Sequence, residues 1–284
     1  HKKKPNQKKL NMTTIFRMLL GAFLLLNPLW SFAQNQQVEQ SPFVLGEQLK
    51  FQSEQLGEER VLNVYLPYNY EQDSLQDFPV IYLLDGSADE DFIHIAGLVQ
   101  FANFPWVNML PPSIVVGVAN VDRKRDFTYP TTVKEDLEAF PTTGGSAKFI
   151  AFIEQELQPL VAAQYRTNGS KTLIGQSLGG LVASEILYKK PELFDTYCIV
   201  SPSLWWDDQS LLQETLKLEA QKDLRVYLAV GEEGEIMEGT ARALAAKLEG
   251  LGERHHFDFI TGQDHANILH QAVYRAFLWL SGKE

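Results

Sequence analysis

Cysteine is nearly absent. Cys198, inside the apolar stretch TYCIV, is the single one in 284 residues, so no intrachain disulfide can brace the fold and the expected role is a buried strand residue. Positive charge is scarce too, with 25 Lys and Arg against 36 Asp and Glu. A surface of that balance repels nucleic acid and anionic lipid, which removes both from the expected partners. No fixed-period repeat, low-complexity tract or long Pro/Ser linker divides the chain, so a single domain is the simplest organisation. There is no HExxH, CxxC or phosphate-binding loop. Neither a metal nor a cofactor is therefore expected, and side chains must supply any chemistry.

Long hydrophobic runs are missing as well. The longest, IFRMLLGAFLLLNPLW, is broken by Asn27 and Pro28 and lacks a basic stop-transfer flank, which argues against a membrane span. Basic residues precede it and the small-residue stretch SFAQ follows. That order reads as a leader cleaved after Ala33, with the residues before Met12 as an upstream basic extension. Residues 1–33 would then be removed and 34–284 would form an exported catalytic domain, periplasmic or extracellular. Residues 1–33 carry six basic and no acidic side chains, so 19 basic and 36 acidic residues would remain, a formal charge of −17.

Two alternating segments come first in that domain, EQLKFQSEQ and RVLNVYLPYNY, and predict an antiparallel pair. The runs FPVIYLLDG, SIVVGVAN, KTLIGQS, TYCIVSP, LRVYLAVG and HFDFITG are short and nearly all apolar, as expected of strands buried on both faces. Helical periods separate several of them: AKFIAFIEQELQPLVAAQY, with a kink expected at Pro159, LGGLVASEILYKK, GTARALAAKLEGLG and ANILHQAVYRAFLWL. Strands alternating with helices predict an α/β fold, a mostly parallel sheet of about eight strands covered on both faces. With an antiparallel pair leading, this is the arrangement of an α/β-hydrolase.

Gly175-Gln176-Ser177-Leu178-Gly179 fits G-x-S-x-G between a buried strand and a helix start, the setting of a nucleophile elbow. A serine hydroxyl needs a base within hydrogen-bond reach. Of the downstream histidines, His255 and His256 open the last strand and His270 lies within the last helix. His265, in TGQDHAN, occupies the loop leaving that strand and is the expected base. The acid is less constrained. VYLAVGEEGE ends a strand and offers Glu232, Glu233 and Glu235; Glu233 is preferred, Glu235 comes second, and Asp264 is disfavoured because adjacent side chains diverge. An oxyanion would rest on the N–H of Leu178 and on a second N–H in LLDGSAD, that of Ser87 beside Gly86.

The stretches VIYLLDG, VVGVANVDRKRDFTYP, TTGGSAKFIAFIEQEL, LIGQSLGGLVASEIL, IVSPSLWWDD, VYLAVGEEGE and DHANILHQAVYRAFLWL, in this order over residues 43–280, resemble the esterase branch of the α/β-hydrolases. That branch includes enterochelin-type siderophore esterases, feruloyl esterases, S-formylglutathione hydrolases and mycolyl transferases, and the similarity is greatest to the bacterial siderophore-esterase subgroup. The resemblance implies hydrolysis of a small-molecule ester through an acyl-enzyme, with Ser177 as nucleophile, His265 as base and oxyanion donors at Ser87 and Leu178. It leaves the acid open, because some siderophore-esterase relatives work with a Ser–His dyad and a backbone carbonyl. An acyltransferase would share the same catalytic residues, and a catalytically silent binding protein would share the scaffold.

Two further segments are candidates for substrate contact. NVDRKRDFTYP brings Arg123 to a strand end, where it could meet an anionic or hydroxylated group, while Asp126 is expected in an internal ion pair. SPSLWWDD brings Trp205 and Trp206 beyond another strand; two aromatics in succession face different ways, so one can pack in the core while the other lines a pocket.

Overall fold

A computed structural model describes Met12, residues 38–218 and residues 223–283. The expected leader and its cleavage site lie outside the described residues. Val44–Glu284 forms one compact unit. Its eight strands are β1 (Glu47–Ser53), β2 (Glu58–Tyr65), β3 (Phe78–Leu83), β4 (Ile114–Val118), β5 (Thr167–Gln176), β6 (Thr196–Val200), β7 (Arg225–Val230) and β8 (His255–Phe259). They make one sheet in the order β1-β2-β4-β3-β5-β6-β7-β8. β1–β2 and β2–β4 pair antiparallel, and every later pair is parallel. The expected eight-stranded α/β sheet with its leading antiparallel pair is therefore present.

Strand periodicity divides the core into two layers. On β3, Val80 and Tyr82 join one apolar cluster while Ile81 and Leu83 join the other. The first cluster takes in α3 (Ser146–Phe152), α4 (Gln158–Gln164), α5 (Leu178–Lys189) and α6 (Glu235–Leu248). The second is capped by α1 (Phe92–Ala102) and α7 (Ile268–Leu280). The short α2 (Arg123–Phe127) follows β4. Cys198 is buried, as expected.

Two local outcomes differ from expectation. No helix is expected between β3 and β4, yet α1 is there; Ile93 and Phe101 are apolar but exposed, and they blur its period. β8 is half-buried along its length instead of buried on both faces, because it is the sheet edge. At Pro159, where a kink is expected, the regular helix is interrupted: a π-helical turn over Ile153–Leu157 precedes it, with Gln158 N–H bonded to Ile153 C=O, and the wider turn accommodates the proline ring and its missing donor.

A buried ion network fixes the chain beyond β4. The Arg60 guanidinium, fully buried on β2, donates to Asp126 Oδ2 at 2.7 Å and to Ala119 C=O at 3.0 Å. Arg125 donates to Asp126 Oδ1 at 2.8 Å and to both Glu58 oxygens at 2.6 and 3.0 Å. The expected internal pairing of Asp126 is thus made with Arg60 and Arg125. Asp126→Asn leaves Arg60 and Arg125 with Glu58 as their remaining carboxylate, Arg60 reaching it at 3.0 Å, so it is expected to lower the unfolding free energy by about 1.5–3 kcal/mol in urea titrations. Loss below about 1 kcal/mol would show that the network is dispensable.

Candidate active site

β5 and α5 meet at Ser177, whose backbone is held at φ 60°, ψ −121°. L residues rarely adopt this region. The chain survives there because Ser177 is bonded on both sides: its N–H donates to Val200 C=O at 3.1 Å, and its C=O accepts from Ser203 N–H at 3.0 Å and Leu181 N–H at 2.9 Å. A Cβ on Gly175 would stand 2.5 Å from Gly179 C=O, and one on Gly180 would meet Pro202 Cα at 2.9 Å. On Gly179 the nearest atoms are side-chain atoms at 3.3–3.4 Å. The strict demand for glycine therefore falls on positions 175 and 180. Leu178 opens α5, so its N–H has no intrahelical acceptor and lies at the positive end of the helix dipole.

His265 reaches this elbow from the β8–α7 loop. Its Nε2 lies 2.9 Å from Ser177 Oγ, and its Nδ1 lies 2.6 Å from Glu233 Oε2. The carboxylate at Nδ1 fixes the proton there and leaves Nε2 as the acceptor facing the serine. Glu233 comes from the β7–α6 loop, which packs so closely on the histidine loop that a Cβ on Gly231 would collide with Gln263 C=O. Its side chain is only 2% exposed. Oε1 accepts from Gly231 N–H at 3.0 Å and from the Ser201 hydroxyl. Burial alone would raise the Glu233 carboxyl, but hydrogen bonds from His265, Ser201 and Gly231 outweigh it and hold it below the usual glutamate range. Glu232 and Glu235 are exposed, and the Asp264 carboxylate instead accepts from Ala266 N–H at 2.9 Å.

A family model described as "Putative esterase" matches residues 53–274. The chain belongs to this esterase family. The ferri-bacillibactin esterase BesA of Bacillus subtilis is 31% identical over 224 residues, covering 70% of this chain and 77% of that protein. Among solved structures, an IroE-like serine hydrolase from Shewanella oneidensis is 30% identical with a TM-score of 0.71, over 82% of this chain and 78% of that one. The BES protein of Bacillus cereus is 29% identical with a TM-score of 0.73, over 87% and 99% of the two chains. The chain is accordingly an esterase of the serine-hydrolase type.

In this esterase Ser177 and His265 stand between two clefts. One, of about 550 Å³, is walled by Trp205, Met237, Ser203 and Ala266, with Glu232, Glu233 and Asp264 at its edge. The other, of about 360 Å³, is walled by Asp85, Glu90, Asp91, Arg123 and Gln176. Trp205 lines the first cleft. Trp206, the other candidate for substrate contact, does not: it is fully buried and its indole N–H donates to Tyr129 C=O at 3.0 Å, which makes it the core member of the pair. Arg123 lines the second cleft, but as a bound cation, with Nε and Nη2 donating to Asp85 at 2.6 and 2.8 Å. Its charge is already neutralised, so it is not the free anion-binding group that the sequence suggests. Ser87 N–H, the second expected oxyanion donor, points at Glu90 Oε2 across a long 3.3 Å. The sequence reading missed Ser201, Asp85 and Gln176; the last two stand inside the motifs LLDG and GQS, but their partners are remote in sequence.

The second cleft is strongly acidic. Asp91 is pushed up to about 6, first by burial and then by the neighbouring charges of Asp85 and Glu90, with Arg123 opposing them. Among the described residues no group of acidic, histidine or cysteine side chains has the arrangement of a metal site, and no helix is long and apolar enough to cross a membrane.

Proposed function

We propose that this esterase hydrolyses carboxylic esters through a covalent acyl-enzyme. Ser177 Oγ attacks the ester carbonyl carbon while His265 Nε2 takes its proton. The resulting oxyanion accepts from the N–H of Leu178 and from that of Ser87, which gives up its long contact with Glu90 Oε2, and Glu233 stabilises the imidazolium. Collapse of the intermediate breaks the ester C–O bond, and His265 returns the proton to the leaving alcohol. Water then repeats the sequence on the acyl-enzyme and frees the acid. The observation that carries this reading is the continuous Ser177–His265–Glu233 chain at 2.9 and 2.6 Å. A fluorophosphonate probe is expected to add one mass equivalent, on the peptide containing Ser177. An unlabelled protein would favour a silent scaffold.

The name of the Bacillus subtilis relative, a ferri-bacillibactin esterase, supports a siderophore-type ester as substrate, while the charge of the second cleft in this chain points away from the ferric form that the name specifies. The carboxylates Asp85, Glu90 and Asp91, set against a single Arg123 engaged by Asp85, favour the iron-free ester over its anionic ferric catecholate complex. The iron-free form is expected to have the higher kcat/KM, by about tenfold at low salt, and the ratio is expected to shrink at 0.5 M salt as charges are screened. The ratio should also grow between pH 5.5 and 7.5, because Asp91 loses its proton near 6 and the cleft becomes more negative. Equal rates at all salt concentrations would remove charge from substrate selection. Export belongs to the same reading; the exported protein is then expected to begin at Gln34, which N-terminal sequencing reads directly.

A further inference from the structure

We infer that Gln176, the residue immediately before the nucleophile, is a positioning residue for His265. Its side-chain amide holds the backbone of the base and thereby sets the gap between imidazole and serine. The inference rests on the reading of His265 as the base.

Beyond the close approach of Gly231 to Gln263 C=O, the histidine loop is poorly held by packing. From Thr261 to Asn267 no residue is buried, and the His265 side chain itself is 45% exposed. Such a segment depends on hydrogen bonds for its position. Some of those bonds fix only its shape: Asp264 Oδ1 accepts from Ala266 N–H at 2.9 Å, and Asn267 Oδ1 accepts from Asp264 N–H at 2.9 Å. Another fixes its entrance, where Glu232 N–H donates to Gln263 C=O at 2.7 Å. The Glu233 contact grips one ring nitrogen and so sets the rotation of the imidazole, while the backbone beneath it can still shift.

Gln176 supplies what those bonds lack. Its Nε2 donates to His265 C=O at 2.6 Å. Gln176 itself is paired with Val200 in the β5–β6 ladder and lies next to Ser177, so the backbone that carries the donor is as fixed as that of the nucleophile. The base is thus tied to the nucleophile's own strand at one point and to the acid at another. The acceptor carbonyl sits on an exposed loop, where water can replace the amide. Loss of the bond therefore has little effect on folding and a large effect on where the imidazole stands. Misplacement by about 1 Å is enough to lower a rate by about 10²-fold.

In the full chain, Gln176→Leu is expected to lower kcat for p-nitrophenyl butyrate by about 10- to 100-fold, with KM changed by less than about threefold. Its Tm should stay within about 2 °C of the parent. Gln176→His, which keeps an N–H donor of similar reach, should recover most of kcat. Gln176→Glu at pH 8 keeps the shape without a donor and should behave as the leucine variant does; it also carries the test if the leucine variant does not fold. A second readout is independent of turnover: the downfield proton resonance of the His265–Glu233 hydrogen bond should be sharp in the parent and in Gln176→His, and broadened in Gln176→Leu. A leucine variant with kcat within about twofold and an unchanged resonance overturns the inference. Equal impairment of all three variants also overturns it, by making Gln176 a packing residue. If Ser177→Ala turned over as fast as the parent, the esterase mechanism would fail, and the resonance would still report on Gln176.

Discussion

Ser177→Ala is expected to lower kcat toward short-chain p-nitrophenyl esters by at least about 10⁴-fold, because removal of the proposed nucleophile leaves only binding and the proposed oxyanion donors. The proposed donors are backbone groups of Leu178 and Ser87, which the substitution leaves in place, so the variant should still bind ester with a KM or Kd near that of the parent. Equal turnover in parent and variant would exclude Ser177 from the mechanism. A companion substitution separates catalysis from strain. At φ 60°, ψ −121° a side chain costs about 1–3 kcal/mol that glycine does not incur. Ser177→Gly should therefore be as inactive as Ser177→Ala yet unfold at a higher temperature. An alanine variant as stable as the glycine variant would show that the elbow stores no strain.

Much of this fold is legible in the sequence for a simple reason. β3, β4, β6 and β7 are buried along nearly all their length and β5 over residues 173–175, so each shows a short apolar run, and the alternating β1 and β2 reveal the antiparallel edge. The period fails where burial is uneven, as on α1, whose exposed Ile93 and Phe101 mimic core positions. The site divides in the same way. Ser177 and His265 are marked by local context, a glycine-flanked turn and a loop beyond the last strand. The glutamates of GEEGE are not separable by pattern, since their directions depend on the β7–α6 turn, where Gly234 takes φ 86°, and on Ser201 from a different strand end. Arg123 looks like a free cation because Asp85 lies 38 residues away, and the two meet only when β3 and β4 become neighbours.

Glu233→Gln is the second large effect expected, about 10³- to 10⁴-fold in kcat, and it distinguishes a triad from a dyad. Ser201 and Gly231 both donate to Oε1, so the glutamine carbonyl must occupy that position and its NH₂ must face His265 Nδ1. An amide donor there makes Nδ1 an acceptor and drives the proton to Nε2, where the imidazole can no longer accept from Ser177. Glu233→Ala leaves room for water, which imposes no tautomer, so it should be less damaging than the isosteric glutamine. A loss under about tenfold for both would instead point to a Ser–His dyad. Stability gives an independent check. The carboxyl is held below its usual range in the folded state, so its contribution is present above the ordinary glutamate pKa and is lost as pH falls through the lower folded value. Urea unfolding of Glu233→Gln should accordingly lose part of the parent's acid sensitivity, even at pH values where neither protein turns over substrate.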